Sequence, residues 1–407
     1  MSNEDRQIVH MDLDTFFVSV ERLLNSELNH RPVLIGGTSA RGVVASCSYE
    51  ARRFGVHSGM PMAVARQRCP SAVVIRGNSM NYSKYSNMVT SILKECVPVL
   101  EKTSIDEFYL DMTGMDRFHG TYKYVSELQS RVFRESGLPI SFGISTNKTV
   151  SKVATGEGKP KGAMQVDGGV EKAFLAPLSI RKIPMIGLRT YQSLAQMGVV
   201  QIQTLQDMPV DVLQRVFGKS GKEMWKKANG IDPSPVTPFH ERKSISTERT
   251  FDRDTIDLHK LNDLLVAMTE NLAYQLRRGN KLTACVAVKI RYADFNTHSL
   301  QRHIPYTSAD HQLLPVVREL FQKLYHRRVR VRLIGIRLSH LVGGGHQMNL
   351  FEDSEELIQL YQAMDRVRKR YGDRAILRAS GMEARTIGRI TNPFSGSAPE
   401  LLANRRT

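Results

Sequence analysis

The sequence predicts a multidomain α+β protein, and three observations carry that prediction. The first 165 residues alternate short apolar runs with helical stretches, residues 177–230 read as short helices without strands, and the chain after Lys243 returns to period-two alternation. With 407 residues, the chain also exceeds one ordinary core and fits two to four compact units.

In chain order, strands are expected at 7–12, 32–36, 42–47, 72–75, 100–104, 107–111 and 140–145, each an apolar run of strand length. Asn81–Val97 and Tyr122–Glu135 carry apolar residues three to four apart, which predicts helices laid on a sheet. From Pro177 to Gly230, glycines 187, 198, 218, 221 and 230 punctuate short helices and predict a small all-helical unit. Three prolines in Asp232–Pro238 favour extended backbone, so a linker is expected there and a new domain near Lys243. In that domain Val286–Tyr292 and Val329–Leu333 alternate strictly. Arg330 and Arg332 are then expected on the face opposite Val329, Val331 and Leu333, where they offer guanidiniums to a polyanion or guard a solvated edge. Gly343–Gly345 make a flexible joint, and Leu357, Leu360, Tyr361 and Met364 fit an amphipathic helix beyond it.

A net charge of +17 suits a polyanionic partner, and nucleic acid leads. From Arg242 to Leu341 there are 18 Lys/Arg against 9 Asp/Glu, a surplus of nine and over half of the total. That segment is expected to grip phosphates. No apolar run approaches the roughly 18 residues that span a bilayer, and the start of the chain lacks a secretory pattern, so the expected location is cytoplasmic. Cys47, Cys69, Cys96 and Cys285 are too scattered for a CxxC zinc signature or a disulfide framework, and read as idle thiols.

Two acidic clusters carry the chemistry: His10-Met11-Asp12-Leu13-Asp14 at the end of one expected strand, and Ser104-Ile105-Asp106-Glu107 between two others. Carboxylates brought together repel unless cations lie between them. Hard oxygen donors without a nearby His or Cys constellation favour Mg²⁺ over zinc, and a pair of such ions can activate a hydroxyl and stabilise a leaving pyrophosphate.

Asp12-Leu13-Asp14-Thr15-Phe16-Phe17, Ser46-Cys47-Ser48-Tyr49-Glu50-Ala51-Arg52, Ser104-Ile105-Asp106-Glu107 and Gly143-Ile144-Ser145-Thr146-Asn147-Lys148 occur in one order. In this the chain resembles Y-family DNA polymerases, nearest the DinB or bacterial polymerase IV branch, from about Ile8 to Leu341 and on into the tail. The resemblance implies a ferredoxin-like palm (1–16 and 77–168), small fingers (17–76), an all-helical thumb with a helix-hairpin-helix (169–232), a linker (233–242), an α/β little finger (243–341) and a tail (342–407).

The resemblance also implies roles. Asp12, Asp106 and Glu107 would be catalytic and hold two Mg²⁺ ions, or Mn²⁺ in their place, with the Leu13 carbonyl as a further ligand and Asp14 structural. Phe17 would be the steric gate against a ribose 2′-hydroxyl. Tyr49 and Arg52, three apart on one helix face, and Lys159 would bind the dNTP triphosphate, with Phe16 packed beside the nucleotide. Gly187, Gly218 and Gly221 in the thumb, and Lys243, Arg330 and Arg332 in the little finger, would hold primer-template DNA by its backbone. Met185 stands where the hairpin motif has glycine. Gln347-Met348-Asn349-Leu350-Phe351 resembles a sliding-clamp-binding peptide anchored by Gln347, Leu350 and Phe351, although the residues after it could instead fold back over the apolar pair.

The function expected is low-fidelity translesion DNA synthesis by a monomer without proofreading, in DNA damage tolerance and repair. A non-catalytic DNA-binding scaffold, a nucleotidyl cyclase and a two-metal nuclease are the alternatives. The intact acidic triad speaks against the first, the basic third domain against the second, and the triphosphate contacts against the third.

Overall fold

The computed structural model describes residues 6–39, 41–115, 120–239, 241–344, 355–372 and 375–384. The chain divides into two compact units between residues 240 and 241. In the first unit β1 (Ile8–Leu13) is followed by the helix Phe16–Leu24, then β2 (Val33–Gly36), β3 (Val44–Cys47) and β4 (Val73–Ile75). The helix Ser79–Cys96 leads to β5 (Val99–Lys102) and β6 (Glu107–Asp111), and the helix Thr121–Ser136 to β7 (Ile140–Ser145). After the helix Lys148–Gly158 comes the short β8 (Ala163–Gln165).

β1 sits at the centre of a five-stranded sheet in the order β5-β6-β1-β7-β8, with both of its neighbours antiparallel. Its alternation decides the layers. Val9, Met11 and Leu13 enter a core with Val89, Leu93, Val125 and Val132 of the two long helices, while His10 and Asp12 take the other face. There the helix Lys148–Gly158 packs, capped by the Asn147 side chain accepting from the Val150 amide at 3.0 Å. β2, β3 and β4 form a separate three-stranded sheet, β3-β2-β4, with its own small core around Leu34, Cys47 and Met62.

Five short helices follow, Glu171–Leu175, Leu188–Gln196, Ile202–Asp207, Val210–Phe217 and Lys219–Ala228, around Leu175, Leu194, Leu205, Leu213 and Met224. The exit of this bundle is tied to the central sheet's helix: Asn147 donates to the Gly230 carbonyl at 2.9 Å and Thr149 to Asp232 at 2.6 Å.

The second unit is a four-stranded antiparallel sheet, built from β9 (Ser244–Thr255), β10 (Lys281–Tyr292), β11 (Thr297–Thr307) and β12 (Val331–Gly343) in the order β11-β10-β12-β9. One face is covered by the helices Leu258–Arg278 and Asp310–Leu324, which bury Val286, Val288, Ile290, Ile334, Ile336 and Leu338. The tail helix Glu355–Tyr371 docks on this unit. Arg277 reaches Asp365 at 2.6 Å and the fully buried Asp310 at 2.8 Å, and the Tyr361 ring, 5% exposed, stacks on His311.

Three expectations need correction. Arg330 precedes β12 instead of lying in it, and a register shift between Val331 and Leu333 breaks the alternation. Val331 therefore enters the helix-covered core, whereas Leu333, also buried, pairs with Arg291 and lies outside that cluster, and Arg332 stacks over the Phe295 ring at 4.4 Å. Gly221 faces inward: a Cβ there would stand 2.1 Å from the Leu213 carbonyl oxygen, so its lack of a side chain serves helix packing and not contact with DNA. Phe16 is 2% exposed within the main core, which leaves its ring no surface for a nucleotide. Gln347, Leu350 and Phe351 lie outside the described residues. Among the described residues, no helix is long and apolar enough to cross a membrane.

Candidate active site

The two acidic clusters meet because β1 and β6 pair in register. Asp12 stands directly across from Glu107, and the Leu13 amide donates to the Asp106 carbonyl at 3.0 Å. Opposed like charges destabilise a sheet, so the pairing needs cations nearby. Two lysines supply them: Lys159 Nζ lies 2.5 Å from Asp12 and Lys152 Nζ 2.6 Å from Glu107. Asp106 instead accepts from the Ser104 hydroxyl at 2.5 Å. Turned to separate partners, the three carboxylates do not converge within 4.8 Å of one another.

Burial pushes the Asp12 carboxyl up to about 6; Lys159 opposes the shift, and Asp106 and Glu107 add to it. Asp106 is also raised, chiefly by burial, with Glu107 contributing and Ser104 opposing. Three partly buried, mutually repelling oxygen donors make a set suited to hard divalent cations. Asp14 plays another part. It is almost fully buried and accepts from Ser141 at 2.9 Å and from the Lys161 amide at 2.7 Å, so it anchors the loop that carries Lys159.

The approach of that lysine pair depends on Gly143. A Cβ at Gly143, which pairs with His10 in β1, would stand 2.3 Å from the Ser151 carbonyl oxygen and 2.5 Å from the Thr155 amide. Only glycine lets the helix Lys148–Gly158 lie this close to the sheet and bring Lys152 over Glu107. His10 is buried beneath the same helix and pairs with Thr155 at 2.9 Å; burial, then Lys152 and Lys159, holds its pKa well below the usual value, so it stays neutral.

Phe17, second in its helix, is half-buried and stacks on Tyr82 with centroids 4.3 Å apart. Tyr82 donates to Glu21 at 2.6 Å, which fixes the ring behind Phe17. The Arg52 guanidinium lies 4.9 Å from the Tyr49 ring. The Tyr49 hydroxyl is buried and pushed up to about 12 by burial and then by Asp14, so it remains a neutral donor. Asp12, Asp106, Glu107, Lys159 and Tyr49 are thus electrostatic neighbours, with Arg52 beside Tyr49. Gly187 caps its helix, Gly218 takes a left-handed φ of 61° between two helices, and Lys243 is exposed just before β9. Lys152, Ser104, Tyr82 and the close-approach role of Gly143 escaped the sequence reading. Only the placement of Ser104 and Gly143 inside quoted motifs hinted at them.

Comparison with known proteins agrees along the chain. Residues 11–156 match the impB/mucB/samB family, residues 242–350 its C-terminal domain, and residues 181–232 the thumb domain of DNA polymerase-iota. A DNA polymerase IV of Dehalococcoides mccartyi is 38% identical over 377 residues, covering 90% of this chain and 95% of the relative. A DNA polymerase IV of Treponema denticola is 33% identical, covering 94% and 95%. A solved Y-family DNA polymerase chimera of Dbh and Dpo4 segments superposes with a TM-score of 0.74 at 25% identity, covering 83% of this chain and all of the chimera. With matched segments spanning most of its length around a paired acidic site, this chain belongs to the DinB branch of the Y-family DNA polymerases.

Proposed function

We propose that the chain is a template-dependent, low-fidelity translesion DNA polymerase without proofreading, acting in DNA damage tolerance and repair. The reading rests on one observation above others: Asp12 and Glu107 are cross-strand partners with Asp106 alongside, and the acids are countered by lysines. Two Mg²⁺ ions, or Mn²⁺ in their place, would be held by Asp12, Asp106, Glu107 and the Leu13 carbonyl, and when bound would favour the ionised 3′-hydroxyl and neutralise the triphosphate.

The chain's own groups do the rest. Tyr49 donates a hydrogen bond to the triphosphate and Arg52 pairs with it; Lys159 exchanges Asp12 for a phosphate oxygen. Phe17, backed by Tyr82, closes the space a ribose 2′-hydroxyl would need. The primer oxygen bonds to the α-phosphorus, the bond to the bridging oxygen breaks, pyrophosphate leaves and the hydroxyl proton passes to solvent.

In this reading residues 1–16 and 77–168 act as palm, 17–76 as fingers, 169–232 as thumb and 243–341 as little finger. Gly187, Gly218, Lys243, Arg330 and Arg332 hold the DNA backbone, so binding should be tolerant of sequence and sensitive to salt. The monomer is recruited by a sliding clamp through Gln347–Phe351. Primer extension on undamaged and abasic templates tests the proposal. Wild type should extend both, Asp106→Ala neither, and Phe17→Ala should admit ribonucleotides. Binding of primed DNA without extension would replace the polymerase with a scaffold.

A further inference from the structure

We infer that Cys285, His303 and His340 form a binding site for a thiophilic divalent transition-metal ion of the Zn²⁺ class, apart from the carboxylates and independent of the polymerase reading. The three residues come from adjacent strands, β10, β11 and β12, and their donor atoms lie within 4.8 Å of one another. Among the described residues no other Cys, His, Asp and Glu trio converges in this way.

The local backbone departs from regularity at this point. Cys285 pairs with His303 on one side and Ser339 on the other, and the β10–β11 register shifts between Thr283 and Cys285. Val286 enters the core, so Cys285 faces the side of the sheet that the two packed helices leave open. It is nonetheless fully buried, while His303 and His340 are exposed with their rings 4.9 Å apart. Strict alternation would turn His340 away from the face of Ser339. Instead His340 has a φ of 54°, a left-handed conformation that non-glycine residues rarely adopt, and its imidazole joins the thiol.

A tetrahedral ion with sulfur at about 2.3 Å and nitrogen at about 2.0–2.1 Å sets donors roughly 3.3–3.6 Å apart. Rotation of two exposed imidazoles closes the remaining gap. A thiolate with two imidazoles selects Zn²⁺, Co²⁺ or Cu²⁺ over Mg²⁺, the reverse of the preference of Asp12, Asp106 and Glu107. On binding, the Cys285 S–H proton leaves to solvent as the sulfur–metal bond forms, and water completes the fourth position. The ion would join three of the sheet's four strands.

The test is titration of the full chain, stripped with chelator and kept in excess Mg²⁺, with Co²⁺ as the probe. One equivalent should bind with a near-ultraviolet thiolate-to-cobalt band, release a proton and be displaced by Zn²⁺. Cys285→Ser should abolish the band, and His303→Gln or His340→Gln should each weaken binding at least tenfold. Asp106→Ala should leave the band unchanged, which separates this site from the carboxylates. Absence of the thiolate band in wild type, or full affinity in both histidine variants, overturns the site. Because those two side chains are exposed, they decide the matter even where Cys285→Ser misfolds.

Discussion

Gly143→Ala probes the packing that sets the candidate active site. The new methyl would sit 2.3 Å from the Ser151 carbonyl oxygen, and ordinary contact begins near 3.4 Å, so the helix Lys148–Gly158 must retreat by about 1 Å. Overpacking of that kind costs about 1–3 kcal/mol. The larger effect falls on chemistry. Lys152 and the loop carrying Lys159 ride on this helix, and a misplacement of about 1 Å at catalytic groups costs about 100-fold in rate. Single-nucleotide incorporation at saturating dNTP should therefore drop about 100-fold for Gly143→Ala, alongside a modest fall in thermal stability. Gly156→Ala in the same helix is the control. It is exposed with no described atom within 4 Å of the added Cβ, so it should stabilise by about 0.5–1 kcal/mol and leave incorporation unchanged. Incorporation by Gly143→Ala within threefold of wild type, at unchanged stability, would refute the close-approach reasoning.

Three further outcomes are expected. Arg277→Ala leaves the buried Asp310 without its cation, so it should cost about 3–5 kcal/mol and raise hydrogen exchange across Glu355–Tyr371; unaltered exchange there would disconnect the tail helix from this network. Met185 has a φ of 83°, so Met185→Gly should relieve strain and stabilise by up to about 1 kcal/mol in denaturant titration, with tighter binding of primed DNA in a salt-matched assay. Burial, with Lys94 adding, pushes Lys102 down to about 8, so its cation is disfavoured in the folded state. Lys102→Met should then stabilise by about 1–2 kcal/mol at pH 7, after discounting for its partial exposure, and the gain should fade as pH rises from about 8 towards 10.5, as equilibrium unfolding across that range would record.

The sequence made some of this legible because it depends on neighbours in the chain. Apolar runs of strand length placed β1, β6 and β7 within a residue of their observed ends, and the acids at those ends marked the candidate site. Lys152 stayed hidden because its contact with Glu107 depends on a glycine in another strand admitting its helix. Tyr82 stayed hidden because stacking on Phe17 is decided by how two helices cross. The alternation around Arg330 and Arg332 misled because a bulge, invisible in the residue pattern, resets which side chain faces the core. Cys285 read as idle because its histidines arrive from other strands. The spacing in Gly218–Lys222 gave no sign that Gly221 turns inward, since a glycine serving packing and one serving a phosphate look alike.

Lys159 holds Asp12 in the structure, yet an ammonium can neutralise only one anion at a time. Under the proposed function, a triphosphate that claimed Lys159 would leave Asp12 with a charge that its burial resists. The carboxylate would then have a heightened appetite for a cation at the moment of substrate arrival. Substrate and cation would thereby be interlocked, each making room for the other.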